Sequence, residues 1–125
     1  GTTLRSQLHA DLLYAIFQSS SSLHDGAVII DQGLIAAAGC FLPLTRNVEI
    51  DRQLGTRHRA AIGISEDTDA VAVVVSEEKG NISIAVGGEF YSCENSRTLR
   101  KYLKHLLNNE KLDESLTPIL LKDFR

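Results

Sequence analysis

The sequence has no apolar run long enough to cross a membrane. Its longest, residues 34–44, falls well short of the roughly 20 residues that a span needs. No signal peptide opens the chain. Nor is there an excess of basic charge: 13 Lys and Arg stand against 16 Asp and Glu, for a formal net charge of −3. No global field therefore favours nucleic acid, and any anion site must be local. The two cysteines, Cys40 and Cys93, have no metal-ligand spacing and sit in apolar or strand-like stretches. They read as reduced residues of a cytosolic protein. A Gly-rich Walker or Rossmann fingerprint is missing too, so the nucleotide folds that those motifs mark are not supported. What is left is an ordinary globular composition, 43% hydrophobic and 23% charged over 125 residues. It predicts one domain, residues 1–125, with room for a real core.

The most informative stretch is Gly55-Thr56-Arg57-His58-Arg59-Ala60-Ala61. Apolar residues at helical spacing follow a Gly-Thr pair, so a helix is predicted to start here, with Thr56 as its N-cap. The orphan N–H groups and positive dipole end of a helix N-terminus attract anions. Arg57 and Arg59 add two planar forks suited to phosphate oxygens. Taken alone, the stretch fits a polyphosphate site and a solvated, well-capped helix start about equally.

The rest of the chain supplies a scaffold for it. Residues 3–18 read as a helix, with Leu4, Leu8, Leu12 and Ile16 recurring every four residues. Four serines at 19–22 end it. Residues 27–30 read as a buried strand, Asp31-Gln32-Gly33 as a turn, and residues 34–44 as a second strand closed by Pro43. Asp25-Gly26 sits where the chain enters the sheet. It is either a plain turn pair or a carboxylate beside a glycine that admits a ligand, and His24 is a possible extra metal ligand. A short helical turn is expected over residues 48–54, and the central helix runs to about Glu66. Residues 70–75 form the most strand-like run, and 82–86 pair back on it across a turn at 76–81. That turn carries Glu77 and Glu78, either solvated or presented to a divalent metal. Residues 89–93 form a further strand. Asn95 or Ser96 caps a last helix with a basic surface (Arg97, Arg100, Lys101, Lys104), which reads as a solvated face before it reads as a nucleic-acid site. Residues 112–125 show no clean periodicity. The fold expected is α/β, of an α+β-like kind: a central mixed β-sheet flanked by helices.

Asp25-Gly26-Ala27, then Gly55-Thr56-Arg57-His58-Arg59, then Ser76-Glu77-Glu78, in that order, resemble the signature of the diadenylate cyclase (DAC) domain. The similarity spans about residues 4–107 and looks most like the membrane-anchored bacterial class of cyclic di-AMP synthases. That resemblance implies an enzyme that condenses two ATP into cyclic di-AMP and releases two pyrophosphates. It implies a divalent cofactor (Mn2+ or Mg2+, with Co2+ as a further option) and a homodimer in which two ATP sites face each other. By the same resemblance, Asp25 would hold metal and help activate the ribose hydroxyl. Gly26 and Ala27 would let the nucleotide approach the backbone. Gly55, Thr56, Arg57, His58 and Arg59 would cradle the phosphates. Ser76 and Glu78 would contact phosphate or metal, and Leu42, with Phe41 beside it, would meet the adenine. A chain that opens at Gly1 directly in an element reads as a cytoplasmic catalytic domain cut from a protein held in the cell membrane by a preceding region. Regulatory protein partners are expected, and nucleic acid is not. The alternative is a nucleotide-binding sensor that has lost catalysis.

Overall fold

Val71–Ser76 (β4) is apolar on both faces, and both faces are covered. In the computed structural model, which describes residues 1–45, 55–76, 81–109 and 118–123, Val71 and Val73 point into one cluster with Ile84 and Cys93, while Ala72 and Val74 point into another with Ala61 and Ile62. A strand buried on both sides needs helices above and below it. Thr56–Asp67 (α2) packs on one face through Ala60, Ala61 and Ile62. Ser96–Asn109 (α3) packs on the other through Leu99, Leu103, Leu106 and Leu107. Burial pushes the pKa of the Cys93 thiol up, which keeps it a neutral apolar group within this layer.

Seven strands form one sheet in the order β1-β3-β2-β7-β4-β5-β6, where β1 is Thr2–Gln7, β2 Ala27–Asp31, β3 Leu34–Cys40, β5 Ile82–Val86, β6 Glu89–Cys93 and β7 Pro118–Asp123. β1, β3 and β2 run antiparallel, as do β4, β5 and β6. β7 joins the two halves, antiparallel to β2 and parallel to β4. The sheet is therefore mixed, as expected. The expected hairpins are present: Gln32 and Gly33, both at positive φ, make the tight β2–β3 turn, and Gly87-Gly88 joins β5 to β6.

The N-terminal segment differs from expectation. It is not one helix over residues 3–18 but β1 followed by Ala10–Ile16 (α1). Leu4 and Leu12 still face one apolar cluster, with Ile16, Val28 and Ile35, but Leu8 between them is exposed, so the apolar spacing is not one continuous helical stripe. It bridges a strand and a helix, and pairing with β3 overrides the local helical pattern. The C-terminal segment also differs. Residues 118–123, without readable periodicity, form the central strand of the sheet. The second strand stops at Cys40, short of residue 44. The helical turn expected over residues 48–54 lies outside the described residues. Among the described residues no helix is long and apolar enough to cross a membrane.

Register decides what meets at one end of the sheet. Ala27 pairs with Leu121, and Leu121 pairs with Val74. The start of β2 and the end of β4 therefore lie level, with β7 between them. Asp25, just before β2, and Ser76, the last residue of β4, therefore lie at the same end of the sheet. Only residues 68–70 connect α2 to β4, so helix and strand run in opposite directions and the N-terminus of α2 returns to that end.

Candidate functional site

At this end of the sheet, a cavity of about 100 Å3 is lined by Asp25, Gly26, Cys40, Phe41, Leu42, Leu44, Thr56, Arg57 and Ala60. It draws together two stretches that are far apart in sequence, Asp25-Gly26 and Thr56-Arg57, and a third wall at Phe41-Leu42. Arg57 donates a hydrogen bond to Asp25 Oδ1, closing an ion pair across the opening. Phe41 is 79% exposed. An exposed aromatic ring at a cavity mouth is a surface that a flat ligand can cover.

Each wall has a local reason for its place. Gly26 stands at φ +102°, and a Cβ there would lie 2.8 Å from the Cys40 carbonyl oxygen and 2.9 Å from the Gly39 carbonyl carbon. Only glycine meets both demands, an unusual φ and direct backbone contact with β3. β3 holds extra residues opposite β2, with its register shifting twice between Ala27 and Ile30, and Gly39 takes a positive φ. Such bulges bend a strand and re-aim the residues beyond them, here Phe41 and Leu42.

The helix start differs by one residue from expectation. Gly55, not Thr56, is the N-cap, and it makes no side-chain cap bond. Its carbonyl accepts the first helical bond, from Arg59 N–H at 3.1 Å. Thr56 is the first helical residue, and it lines the cavity. A glycine cap offers no side chain to compete for the first N–H groups, which leaves that end of the dipole facing the cavity.

The remaining residues of interest are spread around this centre. Ala27 is fully buried at the first rung of β2. The ring of His58 packs edge-on against Phe90 of β6, with centroids 5.3 Å apart and planes at 66°, and His58 is not among the cavity-lining residues. Arg59 is half-buried on α2 and likewise does not line the cavity. His24 Nδ1 lies 2.7 Å from the Ser21 carbonyl oxygen. A carbonyl only accepts, so Nδ1 is the donor in this bond. Ser76 ends β4, its N–H donating to the Asn81 carbonyl at 2.8 Å. Glu78 lies outside the described residues.

Sequence reasoning on its own missed Cys40, Leu44 and Ala60 as cavity walls. Their signal is only topological, since each sits close to a motif residue along the chain. A larger cavity of about 360 Å3 lies between β5, β6 and α3, lined by Ile84, Tyr91, Tyr102 and His105 among others. It holds none of the motif residues. Chemistry, not volume, marks the site.

Residues 1–90 match the family described as DisA bacterial checkpoint controller nucleotide-binding, abbreviated DAC. The chain belongs to the DAC family. The domain is 52% identical over 92 residues to a diadenylate cyclase, CdaS, of Bacillus thuringiensis, covering 74% of this chain and 46% of that protein. It is 42% identical over 115 residues to the cyclic di-AMP synthase CdaA of Bacillus subtilis, covering 92% of this chain and 42% of that protein. This DAC chain thus spans under half the length of either relative. Its fold is similar to a crystal structure of DacA from Staphylococcus aureus, a double mutant, at a TM-score of 0.77 and 40% identity, covering 84% of this chain and 70% of that one. It is also similar to a hypothetical membrane spanning protein from Bacillus cereus, at a TM-score of 0.74 and 50% identity, covering 76% and 47%.

The donor set of the DAC site can be tested against a divalent cation. Among the described residues no group of three or more His, Cys, Asp or Glu could hold a metal ion. Asp25 offers a hard carboxylate oxygen, 54% exposed, beside the cavity. Hard ions such as Mg2+ bind through one or two carboxylates and complete their shell with water and substrate phosphate. A single carboxylate of this kind fits a hard ion that keeps most of its own shell.

Proposed function

We propose that this domain is a diadenylate cyclase, joining two ATP into cyclic di-AMP with release of two pyrophosphates. The observation that carries the reading is the Asp25–Arg57 pair across a cavity edged by the N-terminus of α2. It sets a carboxylate, a guanidinium and helix N–H groups around one small space, in a chain whose curated relatives include a diadenylate cyclase and a cyclic di-AMP synthase. In the reaction a ribose 3′-hydroxyl attacks an α-phosphorus. A P–O bond forms, the bond to pyrophosphate breaks, and the hydroxyl proton must leave.

Each side chain has a part in this. Asp25 orients the hydroxyl and draws its proton. Arg57 and the first N–H groups of α2 meet the negative charge that grows on the phosphate, and Arg59 and His58 support the phosphate chain from the same helix. Gly26 and Ala27 bring backbone to the nucleotide without a side chain in the way. Phe41 and Leu42 cover the base, and Ser76 and Glu78 contact phosphate from the end of β4. Asp25, with Glu78 and His24 as further donors, would hold a Mn2+, Mg2+ or Co2+ ion that supplies charge neutralisation at the phosphates.

The cavity is much smaller than the roughly 300–1,000 Å3 of a typical ligand pocket, so it seats part of one nucleotide. The product is two-fold symmetric, and each ATP is both attacker and target. Two domains therefore meet face to face as an isologous pair, each bringing one ATP. The domain works on the cytoplasmic side, where ATP is, as part of a longer membrane-held protein open to regulation by other proteins.

The test is incubation with ATP and Mn2+ or Mg2+, with chromatographic separation of products. Cyclic di-AMP with two equivalents of pyrophosphate is expected. ATP bound but unchanged at every protein concentration would point to a sensor instead.

A further inference from the structure

Phe41, Leu42, Pro43 and Leu44 form one wall of the cavity and its rim, yet their own burial does little to hold them. Phe41 and Leu44 are exposed, Pro43 is exposed, and Leu42 is half-buried. The segment is a bridge, and its two ends fix it. Behind it, Cys40 is buried and pairs with Ala27 at the end of β3. Ahead of it, Thr45 is buried against α2.

The fastening at Thr45 is specific. Its N–H donates to the Arg59 carbonyl at 3.0 Å, and its hydroxyl donates to Glu66 Oε1. The chain before it crosses α2 at Gly63 so closely that a Cβ there would stand 2.5 Å from the Pro43 carbonyl oxygen and 3.0 Å from Thr45 N. Glu66 is otherwise an exposed residue near the far end of the helix. An ionised acceptor makes this bond stronger than one between neutral groups, and burial of the hydroxyl raises the cost of losing it.

We propose that Thr45 and Glu66 are a positioning pair that holds the Phe41–Leu42 wall in register with the cavity, and so sets affinity for the base end of the nucleotide. This rests on reading the cavity as an ATP site. Asp25 and Arg57 are carried by the β2 entry and by the first turn of α2, not by the bridge. Loss of the pair therefore lets the wall drift while the reacting groups stay placed. Binding weakens, and the chemical step changes little.

The probe is 3′-deoxy-ATP, which lacks the attacking hydroxyl and cannot be cyclised, titrated calorimetrically with Mg2+ into the parent and three variants. Thr45→Val and Glu66→Ala remove the bond, and Thr45→Ser keeps it. The expected result is a Kd raised about ten-fold in the first two, and a Kd within about two-fold of the parent for Thr45→Ser. A purely structural role would lower the melting temperature and the bound stoichiometry but leave the Kd of the folded molecules unchanged, and that result overturns the proposal. So does a Thr45→Ser variant as weak as Thr45→Val. If the parent itself fails to bind 3′-deoxy-ATP, the ATP-site reading falls and this inference with it, an outcome recognised without any variant.

Discussion

Arg57 and Asp25 are 32 residues apart in sequence, and their side chains meet across the cavity, joining the first turn of α2 to the entry of β2. Asp25 is 54% exposed and Arg57 21%. A pair this open to water contributes about 0–1 kcal/mol to stability, so its value lies in what the two groups do. Asp25→Asn should leave the melting temperature within about 6 °C of the parent and lower ATP turnover by about 100-fold or more, the scale of losing a positioned base. A variant that melts normally and turns over like the parent would remove Asp25 from the chemistry.

The arginines make a separable prediction. Arg57 lines the cavity, and Arg59 follows two residues later on the same helix. If each steadies charge on the phosphates, Arg57→Ala and Arg59→Ala should each cost about 2–4 kcal/mol in kcat/KM, read from initial rates at several ATP concentrations. Parent-like values for both would take phosphate stabilisation away from this helix.

Gly26 should tolerate no side chain. Its φ of +102° and the 2.8 Å approach of a Cβ to the Cys40 carbonyl combine backbone strain with a clash against backbone, which has no rotamer to escape through. Gly26→Ala should destabilise the fold by about 1–3 kcal/mol, measured by urea unfolding. An unchanged midpoint would mean that the β2–β3 contact relaxes freely.

β7 should be indispensable although it lies beyond the family-matched residues 1–90. Leu120 pairs with Val28 on one side and with Val73 on the other. A proline in a central strand removes a ladder donor and cannot be placed at an edge. Leu120→Pro should abolish cooperative thermal unfolding and expose two strand edges that aggregate. A soluble variant with a normal melting curve would contradict the seven-strand sheet.

Much of this architecture was legible in the residues. β4 announces itself by continuous β-branched residues, and α2 by Ala60, Ala61 and Ile64 after a glycine. The antiparallel pairs follow from the hairpins, whereas the parallel pairing that makes the described sheet mixed is that of β4 with β7. β1 was not legible, because Leu4, Leu8 and Leu12 keep a helical spacing while the chain changes from strand to helix beneath them. β7 was hidden for the opposite reason. A strand paired along both edges takes its place from its partners, and both partners lie far away in sequence. At the site, Gly55 to Arg59 stood out by chemistry and Asp25-Gly26 only weakly, since the pair reads equally as a plain turn, whereas Phe41 and Leu42 carried no signal apart from the family resemblance. The closeness of Gly63 to Pro43 is a property of packing that no local pattern records.

The most direct test of the central claim is the specific rate of cyclic di-AMP formation from ATP and Mn2+, measured over a hundred-fold or so range of protein concentration. Two half-sites that must meet predict a specific rate that climbs with concentration and then levels as the domains pair. A specific rate that stays constant while the protein remains monomeric throughout would contradict the face-to-face reaction.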